Sequence, residues 1–354
     1  MSLELCIQAF YVLVIVVTVG FLATAITARK MCFRKPHIIR SESERYYLDR
    51  LKGKKMLFPL SNYFDQSEIS KVSLSVIVPA YNEEERLPTM MDEAIAYLEK
   101  RCGQSPINRP FTYEIIVVDD GSSDKTSQVA LRYSDLHTTE KVRLMRLEKN
   151  RGKGGAVRLG VLASRGRLIL FADADGATTF SEVDKLEAHL HDDQGKPKPG
   201  FNRMFAIGSR AHMEEDAIAS RSRFRTLLMQ GFHFIVWFSA VRTVRDTQCG
   251  FKLFPRDVAL LLFSWTHIER WAFDVELLHL AERLGLQIHE VCVQWTEVAG
   301  SKIVPVFSWL QMGRDVLCIA FLYLIGAWGL PDETEVAKTL TQSFPSKPEA
   351  HSLK

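Results

Sequence analysis

The sequence predicts an α/β fold built on a mostly parallel sheet and preceded by an N-terminal transmembrane helix. Three observations carry this reading. Apolar, β-rich runs alternate with segments of helical spacing, several of those runs end in acidic turns, and the chain opens on a long uncharged apolar stretch.

The opening stretch, Leu5 to Thr27, holds no charged residue. At about 1.5 Å per residue it is long enough to cross a hydrocarbon core of about 30 Å. It exceeds the roughly 7–15 apolar residues of a signal-peptide core, and no Lys or Arg precedes it, so residues 1–30 read as an anchor rather than a cleaved leader. Arg29, Lys30, Arg34, Lys35 and Arg40 follow, and only Glu4 precedes. The positive-inside rule therefore puts the rest of the chain in the cytosol, and the same cations suit the headgroups of a lipid bilayer. Residues 31–70 read as a basic juxtamembrane connector, polar from about Ser41 to Ser70.

A catalytic domain is expected over 71–305. Val72–Val78 is β-rich and ends at Pro79, and Glu84–Lys100 places Leu87, Met90, Met91, Ala94, Ile95 and Leu98 on one helical side. Tyr113–Val118 is a nearly continuous apolar run closed by Asp119-Asp120-Gly121-Ser122, as for a buried parallel strand ending in a turn, and Asp124 then caps a short helix. Val142–Leu147, Leu168–Ala172 and Met204–Ile207 repeat the strand pattern, with helices at Lys153–Ser164 and Ser181–Leu190. Ligands of such sheets lie beyond the carboxyl ends of the strands. Here those ends carry Tyr81 and Glu83, Asp119 and Asp120, Asp173 and Asp175, and Ser209 and Arg210. Residues 306–330 form a second apolar stretch interrupted by Arg314 and Asp315, which suits an interfacial amphipathic helix better than a span, and 331–354 reads as a disordered tail. Phe232–Val241 is too short to cross a bilayer.

Composition narrows the function classes. Of 354 residues 47% are hydrophobic and 25% charged, and the net charge of +3 is too small to signal nucleic-acid binding. Cys6, Cys32, Cys102, Cys249, Cys292 and Cys318 show no CxxC spacing, so neither a zinc site nor a disulfide framework is indicated, and a reducing compartment fits them. No Gly-x-Ser-x-Gly elbow, HExxH motif or Gly-x-Gly-x-x-Gly after the first strand is present, which leaves serine hydrolase and zincin chemistry without support and disfavours a dinucleotide dehydrogenase.

Three groups of residues point to phosphate chemistry, and a fourth adds carboxylates. Asp173 and Asp175 at a strand end can converge on one hard cation, Mg²⁺ or Mn²⁺, that neutralises a diphosphate. Asn150-Arg151-Gly152-Lys153-Gly154-Gly155 opens a helix with two cations and with backbone N–H groups that can approach an anion, though a tight basic turn would look the same. Arg210, Arg221, Arg223 and Arg225 form a cationic group leading into the apolar run 227–238, which suits either a solvated basic face or a phosphate on a lipid tail. Asp246 lies in Asp246-Thr247-Gln248-Cys249-Gly250, while Asp274 and Glu276 fit equally a solvent-facing helix start or a functional role; His233, His267, His279 and His289 lack ligand spacing.

Taken in order, Val76-Ile77-Val78-Pro79-Ala80-Tyr81-Asn82-Glu83-Glu84, Val117-Val118-Asp119-Asp120-Gly121-Ser122, Asn150–Ala156 and Ala172-Asp173-Ala174-Asp175-Gly176 resemble the motifs of family 2 inverting glycosyltransferases of the GT-A fold. Arg245–Phe254, Glu269–Leu278 and the anchor are similar to the polyprenyl-phosphate branch of that family, over a likeness that runs to about Leu330. The resemblance implies transfer of glucose from UDP-glucose to dolichyl phosphate with inversion, at the endoplasmic reticulum membrane and facing the cytosol. It implies that Pro79, Tyr81, Glu83, Asp119 and Asp120 hold uridine, that Lys153 faces the donor phosphates, and that Asp173 and Asp175 bind the metal. Arg210 and Arg225 would receive the acceptor phosphate, with Asp246 near the reacting centre; where mannosyl relatives place a Gln two residues after the second metal Asp, Ala177 stands here. The same site would serve GDP-mannose, and a non-enzymatic nucleotide-sugar or lipid-phosphate binding protein is the reading from another class.

Overall fold

Runs of Val, Ile and Leu without intervening charge require cover on both faces, and a seven-stranded sheet supplies the layer between two such covers. The computed structural model describes residues 14, 18–20, 22–58, 72–107, 110–192, 195–213, 241–298, 300 and 307–336. Its strands are β1 (Tyr46–Asp49), β2 (Lys54–Leu57), β3 (Val72–Ala80), β4 (Tyr113–Asp119), β5 (Val142–Arg146), β6 (Gly166–Ala172), β7 (Met204–Ser209), β8 (Phe251–Pro255) and β9 (Gln287–Cys292). The helices are α1 (Leu87–Gln104), α2 (Thr126–Lys141), α3 (Lys153–Leu162), α4 (Val183–Leu190), α5 (Arg256–Trp265), α6 (Phe273–Arg283) and α7 (Phe307–Leu324).

The large sheet runs in the order β5-β4-β3-β6-β8-β7-β9. β5, β4, β3 and β6 are parallel; β8 is antiparallel to both β6 and β7, and β9 is parallel to β7. Alternate residues go to opposite layers. Val76 and Val78 join Leu87, Met91, Val129 and Leu186 on one face, while Ile77 joins Val157, Val258, Val275 and Val316 on the other. On that second face α3 sits close to the sheet, because a Cβ on Gly160 would stand 2.5 Å from Ile77 Cγ2 and 2.9 Å from Val118 Cγ2.

The five strands and four helices expected between 72 and 209 are present, with α2 longer than the short helix expected after Asp124. The sequence reading missed β8 and β9. It also took 31–70 as a plain connector, whereas 46–57 folds into the antiparallel hairpin β1–β2. That hairpin is held by Tyr47 and Phe58, whose rings lie 5.5 and 4.7 Å from the Arg143 guanidinium, and by Asp49, which accepts the Thr139 hydroxyl at 2.8 Å.

α7 is amphipathic in its packing. Val316, Ile319 and Tyr323 are buried in the core, whereas Leu317 and Leu324 are 54% and 77% exposed, and Arg314 pairs with Asp315 at 2.7 Å. Of the segment 331–354, residues 331–336 are described, and Asp332 accepts the Glu335 N–H at 2.7 Å. Much of the expected anchor, all of 227–238 and all of 337–354 lie outside the described residues; residues 22–31 are helical. Among the described residues no helix is long and apolar enough to cross a membrane.

Glu114 ties three elements together with no exposed surface of its own. Its carboxylate accepts Ser75 Oγ at 2.5 Å and the Arg165 N–H and Nε at 2.6 and 2.8 Å, and it pairs with buried Arg143. Burial would raise its pKa, but Arg143 and Arg165 outweigh that and hold it below the usual value. Removing one member of a buried pair leaves the other charge uncompensated, so Glu114→Ala should cost about 3–5 kcal/mol in urea unfolding. A midpoint equal to the parent's would show that Arg143 does not depend on Glu114.

Candidate active site

The parallel strands β3, β4, β6 and β7 end on one edge of the sheet, and β8, running the other way, begins there. Five loops therefore meet at one place.

On the first of them, Pro79 pairs opposite Val118 of β4, while the ladder to β6 ends at Ile77, so the proline removes no donor from that second ladder. Tyr81 is 41% exposed beyond the strand. Asn82 takes φ 55°, a left-handed conformation that Asn tolerates. Its side chain accepts the Ser123 N–H at 2.9 Å and its own N–H reaches Ser122 Oγ at 2.9 Å, which stitches the β3 and β4 turns together. Glu83 is buried and forked onto Arg86, with Nε and NH2 at 2.7 and 2.6 Å. Arg86 NH1 in turn lies 3.8 Å from Asp175. The sequence reading passed over Arg86; its spacing of three from Glu83 was the available signal.

Asp119 and Asp120 divide their work. Asp119 accepts the Ser122 N–H at 2.8 Å and the Ser127 hydroxyl, which fixes its own turn. Asp120 accepts the N–H groups of Arg151 and Gly152 at 2.7 and 2.8 Å, and so clamps the basic glycine loop to the end of β4. Gly152 is required there: its φ is 90°, and a Cβ would meet Glu269 O at 2.7 Å. The clamp delivers Lys153 at the start of α3 to Asp173, with Nζ 2.7 Å from Oδ1 and 2.9 Å from Oδ2. Burial alone would lower the Lys153 ammonium pKa, but Asp173 and then Asp274 outweigh it and raise it.

Asp173 and Asp175 sit at the end of β6 with side chains 32% and 28% exposed. Asp175 accepts the Ala177 N–H at 3.0 Å. Among the described residues no group of three or more His, Cys, Asp or Glu side chains could hold a metal. Two partly exposed carboxylates nevertheless fit Mg²⁺ or Mn²⁺, since Mg²⁺ is usually held by one or two carboxylates together with substrate phosphates and water.

Arg210 and Asp246 come together as a fork, Nε–Oδ2 at 2.7 Å and NH2–Oδ1 at 2.8 Å, with the Arg210 backbone N–H adding a bond at 2.9 Å. Burial would raise the Asp246 carboxyl, but Arg210 outweighs it and holds it below the ordinary value. Glu290 on β9, also missed from sequence, anchors this pair: it accepts the Asp246 N–H at 2.9 Å and the Ser209 hydroxyl at 2.7 Å. Arg221, Arg223 and Arg225 lie outside the described residues. The option that Asp274 and Glu276 face solvent is corrected, since both are buried. Asp274 pairs with Lys252 at 2.6 Å, and Glu276 accepts the Ile268 N–H at 2.6 Å and the Tyr323 hydroxyl at 2.9 Å.

A family model described as "Glycosyl transferase family 2" matches residues 75–259, which include every described member of this constellation except Glu290, Asp274 and Glu276. The chain belongs to glycosyl transferase family 2. Within the family, this chain is similar to dolichyl-phosphate beta-glucosyltransferases. It is 54% identical to that of Drosophila melanogaster over 92% of this chain and 96% of the relative. The figures for the Homo sapiens protein are 55%, 86% and 89%, and for that of Saccharomyces cerevisiae 40%, 81% and 86%. Among solved structures, glucosyl-3-phosphoglycerate synthase from Mycobacterium tuberculosis in complex with UDP superposes with a TM-score of 0.50 at 19% identity, covering 78% of this chain and 90% of that one. That likeness shows the shared GT-A α/β fold with its mostly parallel sheet.

Two outcomes test this geometry. A Cβ on Gly250 would lie 1.9 Å from Asp173 Oδ2, so Gly250→Ala must displace that carboxylate. The expected loss of sugar-transfer kcat is about 100-fold, and undiminished kcat would remove Asp173 from the chemistry. Burial pushes the Asp120 carboxyl from 3.8 up to about 6, against its two N–H bonds. Between those values the folded chain keeps a proton that the unfolded chain has lost, so this group's share of stability falls as pH rises. Asp120→Asn should flatten that part of the pH–stability curve; an unchanged slope would assign it to another group.

Proposed function

We propose that this family 2 chain is a membrane-anchored inverting transferase that moves glucose from UDP-glucose onto dolichyl phosphate. The product, dolichyl β-D-glucosyl phosphate, would serve as glucose donor for N-glycan precursor assembly on the cytosolic side of the endoplasmic reticulum membrane. The observation that carries the reading is the likeness, at 54–55% identity over most of the chain, to dolichyl-phosphate beta-glucosyltransferases. The site supports it, with a carboxylate pair and Lys153 on one side and the Arg210–Asp246 fork on the other, near enough that the Asp173 charge acts on Arg210.

In this reading Pro79, Tyr81, Glu83, Asp119 and Asp120 border the nucleoside, and Lys153 and Arg86 face the diphosphate. Asp173 and Asp175 would hold Mg²⁺ or Mn²⁺, which when bound neutralises charge on departing UDP. Arg210 receives the acceptor phosphate: its Nε and NH2 are engaged by Asp246, its guanidinium lies 5.4 Å from the Trp295 ring, and NH1 donates no hydrogen bond among the described residues. Arg225 is assigned beside it by resemblance. A phosphate monoester has a second pKa of about 6 and is already an anion at neutral pH, so its oxygen attacks the anomeric carbon without needing a base. Asp246, with its pKa held down by Arg210, is suited to aiming that arginine rather than to taking a proton. Attack in line with the departing diphosphate inverts the anomeric centre.

The division into anchor 1–30, connector 31–70, catalytic domain 71–305, interfacial helix 306–330 and tail 331–354 belongs to the same proposal. The uncharged run Leu5–Thr27, the cations that follow it and the exposed Leu317 and Leu324 of α7 support placement at a bilayer surface. The Arg34 carbonyl accepts the Gly329 N–H at 2.8 Å and Lys35 pairs with Glu335 at 2.8 Å, so the segment after the expected anchor and the segment that follows α7 are joined.

The test is transfer by membranes carrying the parent or Asp175→Asn, with dolichyl phosphate, Mg²⁺ and labelled UDP-glucose or GDP-mannose. Lipid-linked glucose from the parent, and at least about 100-fold less from Asp175→Asn, is expected. Label from GDP-mannose instead would overturn the sugar and nucleotide, and no lipid product from either would favour a binding protein.

A further inference from the structure

Beneath the two halves of the site lies a buried ion pair that neither half needs for contact with a ligand. Lys252 is on β8, opposite Phe171 of β6 and Ile207 of β7, with no exposed surface. Its ammonium donates to Asp274 Oδ1 at 2.6 Å, to Cys249 O at 2.5 Å and to Thr247 O at 3.3 Å, which uses all three of its N–H bonds. Asp274, in the first turn of α6, is equally buried. A buried ion pair seldom stabilises a fold more than well-packed apolar side chains of the same volume would, so its value here lies in what it orients.

The two carbonyls identify what that is. They belong to the turn that enters β8, whose first residue, Asp246, is forked onto Arg210. Its last residue, Gly250, accepts the Asp173 N–H at 3.0 Å and lies so close to the Asp173 carboxylate that no side chain fits between them. One ammonium thus grips the turn midway between the donor-side and acceptor-side carboxylates. The Lys252 and Lys153 ammonium groups also lie over the same Phe171 ring, at 5.7 and 5.1 Å, so the pair reaches the third charged member of the site through one side chain.

We propose that Lys252, held by Asp274, is a positioning residue for sugar transfer: by fixing the turn 246–250 it sets the spacing between Asp173 and Asp246. That spacing governs the distance from the leaving diphosphate to the incoming phosphate. The inference rests on the functional reading above, which assigns those two carboxylates to opposite sides of the reaction.

Lys252→Met alone strands the Asp274 charge and is expected to lose folded protein. The test therefore uses the full-length Lys252→Met/Asp274→Leu double variant, which removes both charges and leaves the two carbonyls without their donor. UDP binding by calorimetry in Mg²⁺ and cooperative melting report the folded site, and kcat and both KM values report the reaction. The expected result is a cooperative transition, UDP affinity within about threefold of the parent, and kcat lower by about 100-fold, the loss that a displacement of about 1 Å produces. If kcat per UDP-binding molecule stays within about threefold of the parent, the pair is core packing and the proposal falls. A fall in UDP affinity matching the fall in kcat overturns it too, since the donor half would then have collapsed. Failure of the functional reading shows differently, as a parent that binds UDP without transferring glucose, and removes both.

Discussion

Because β8 runs against β6 and β7, the turn entering it arrives at the edge where the parallel strands end, and the contacts that tie Asp173 to Arg210 through that turn depend on the reversal. A parallel strand in the same place would deliver its far end there, and the turn Asp246–Gly250 would open on the opposite edge. With the reversal, the Gly250 backbone can bond Asp173 while Asp246, four residues earlier, reaches Arg210 at the end of β7. The absence of a side chain at Gly250 is what allows so close an approach.

Charge is arranged before any ligand arrives. Asp173 faces Lys153, Glu83 faces Arg86, Asp246 faces Arg210, and Asp274 faces Lys252. These pairs are partly or wholly shielded from water, where fixed charges act more strongly than at an open surface and need little rearrangement as new charge develops. Asp120 serves the arrangement through the backbone, by holding the glycine loop from which Lys153 projects. The fold thus contributes orientation.

Much of this was legible in the order of residues. The strands from β3 to β7 announced themselves as apolar runs closed by polar turns, and the edge on which they end followed from their being parallel. β8 did not, because Phe251–Pro255 has a lysine at its second position and a proline at its end, which reads as a loop until Asp274 is seen beside that lysine. β9 hid for a related reason: Gln287–Cys292 sets His289 and Glu290 side by side, which breaks the alternation that marks a half-buried strand, and it lies at the edge of the sheet. The β1–β2 hairpin lacks an apolar run, and its docking depends on Tyr47 and Phe58 meeting the Arg143 guanidinium, a partner far along the chain.

By itself the sequence determined the strand ends, the acidic and basic turns that they carry, and the likeness to a glycosyltransferase family, because these follow from local hydrophobic period, turn chemistry and motif order. The tertiary structure decided which charge faces which: Arg86 beside Asp175, Arg210 on Asp246 from 36 positions away, and Lys252 on Asp274 across 22. Such pairings depend on strand order and strand direction. Neither is written in the local periodicity of the chain, since a strand has the same alternation of faces whichever way it runs.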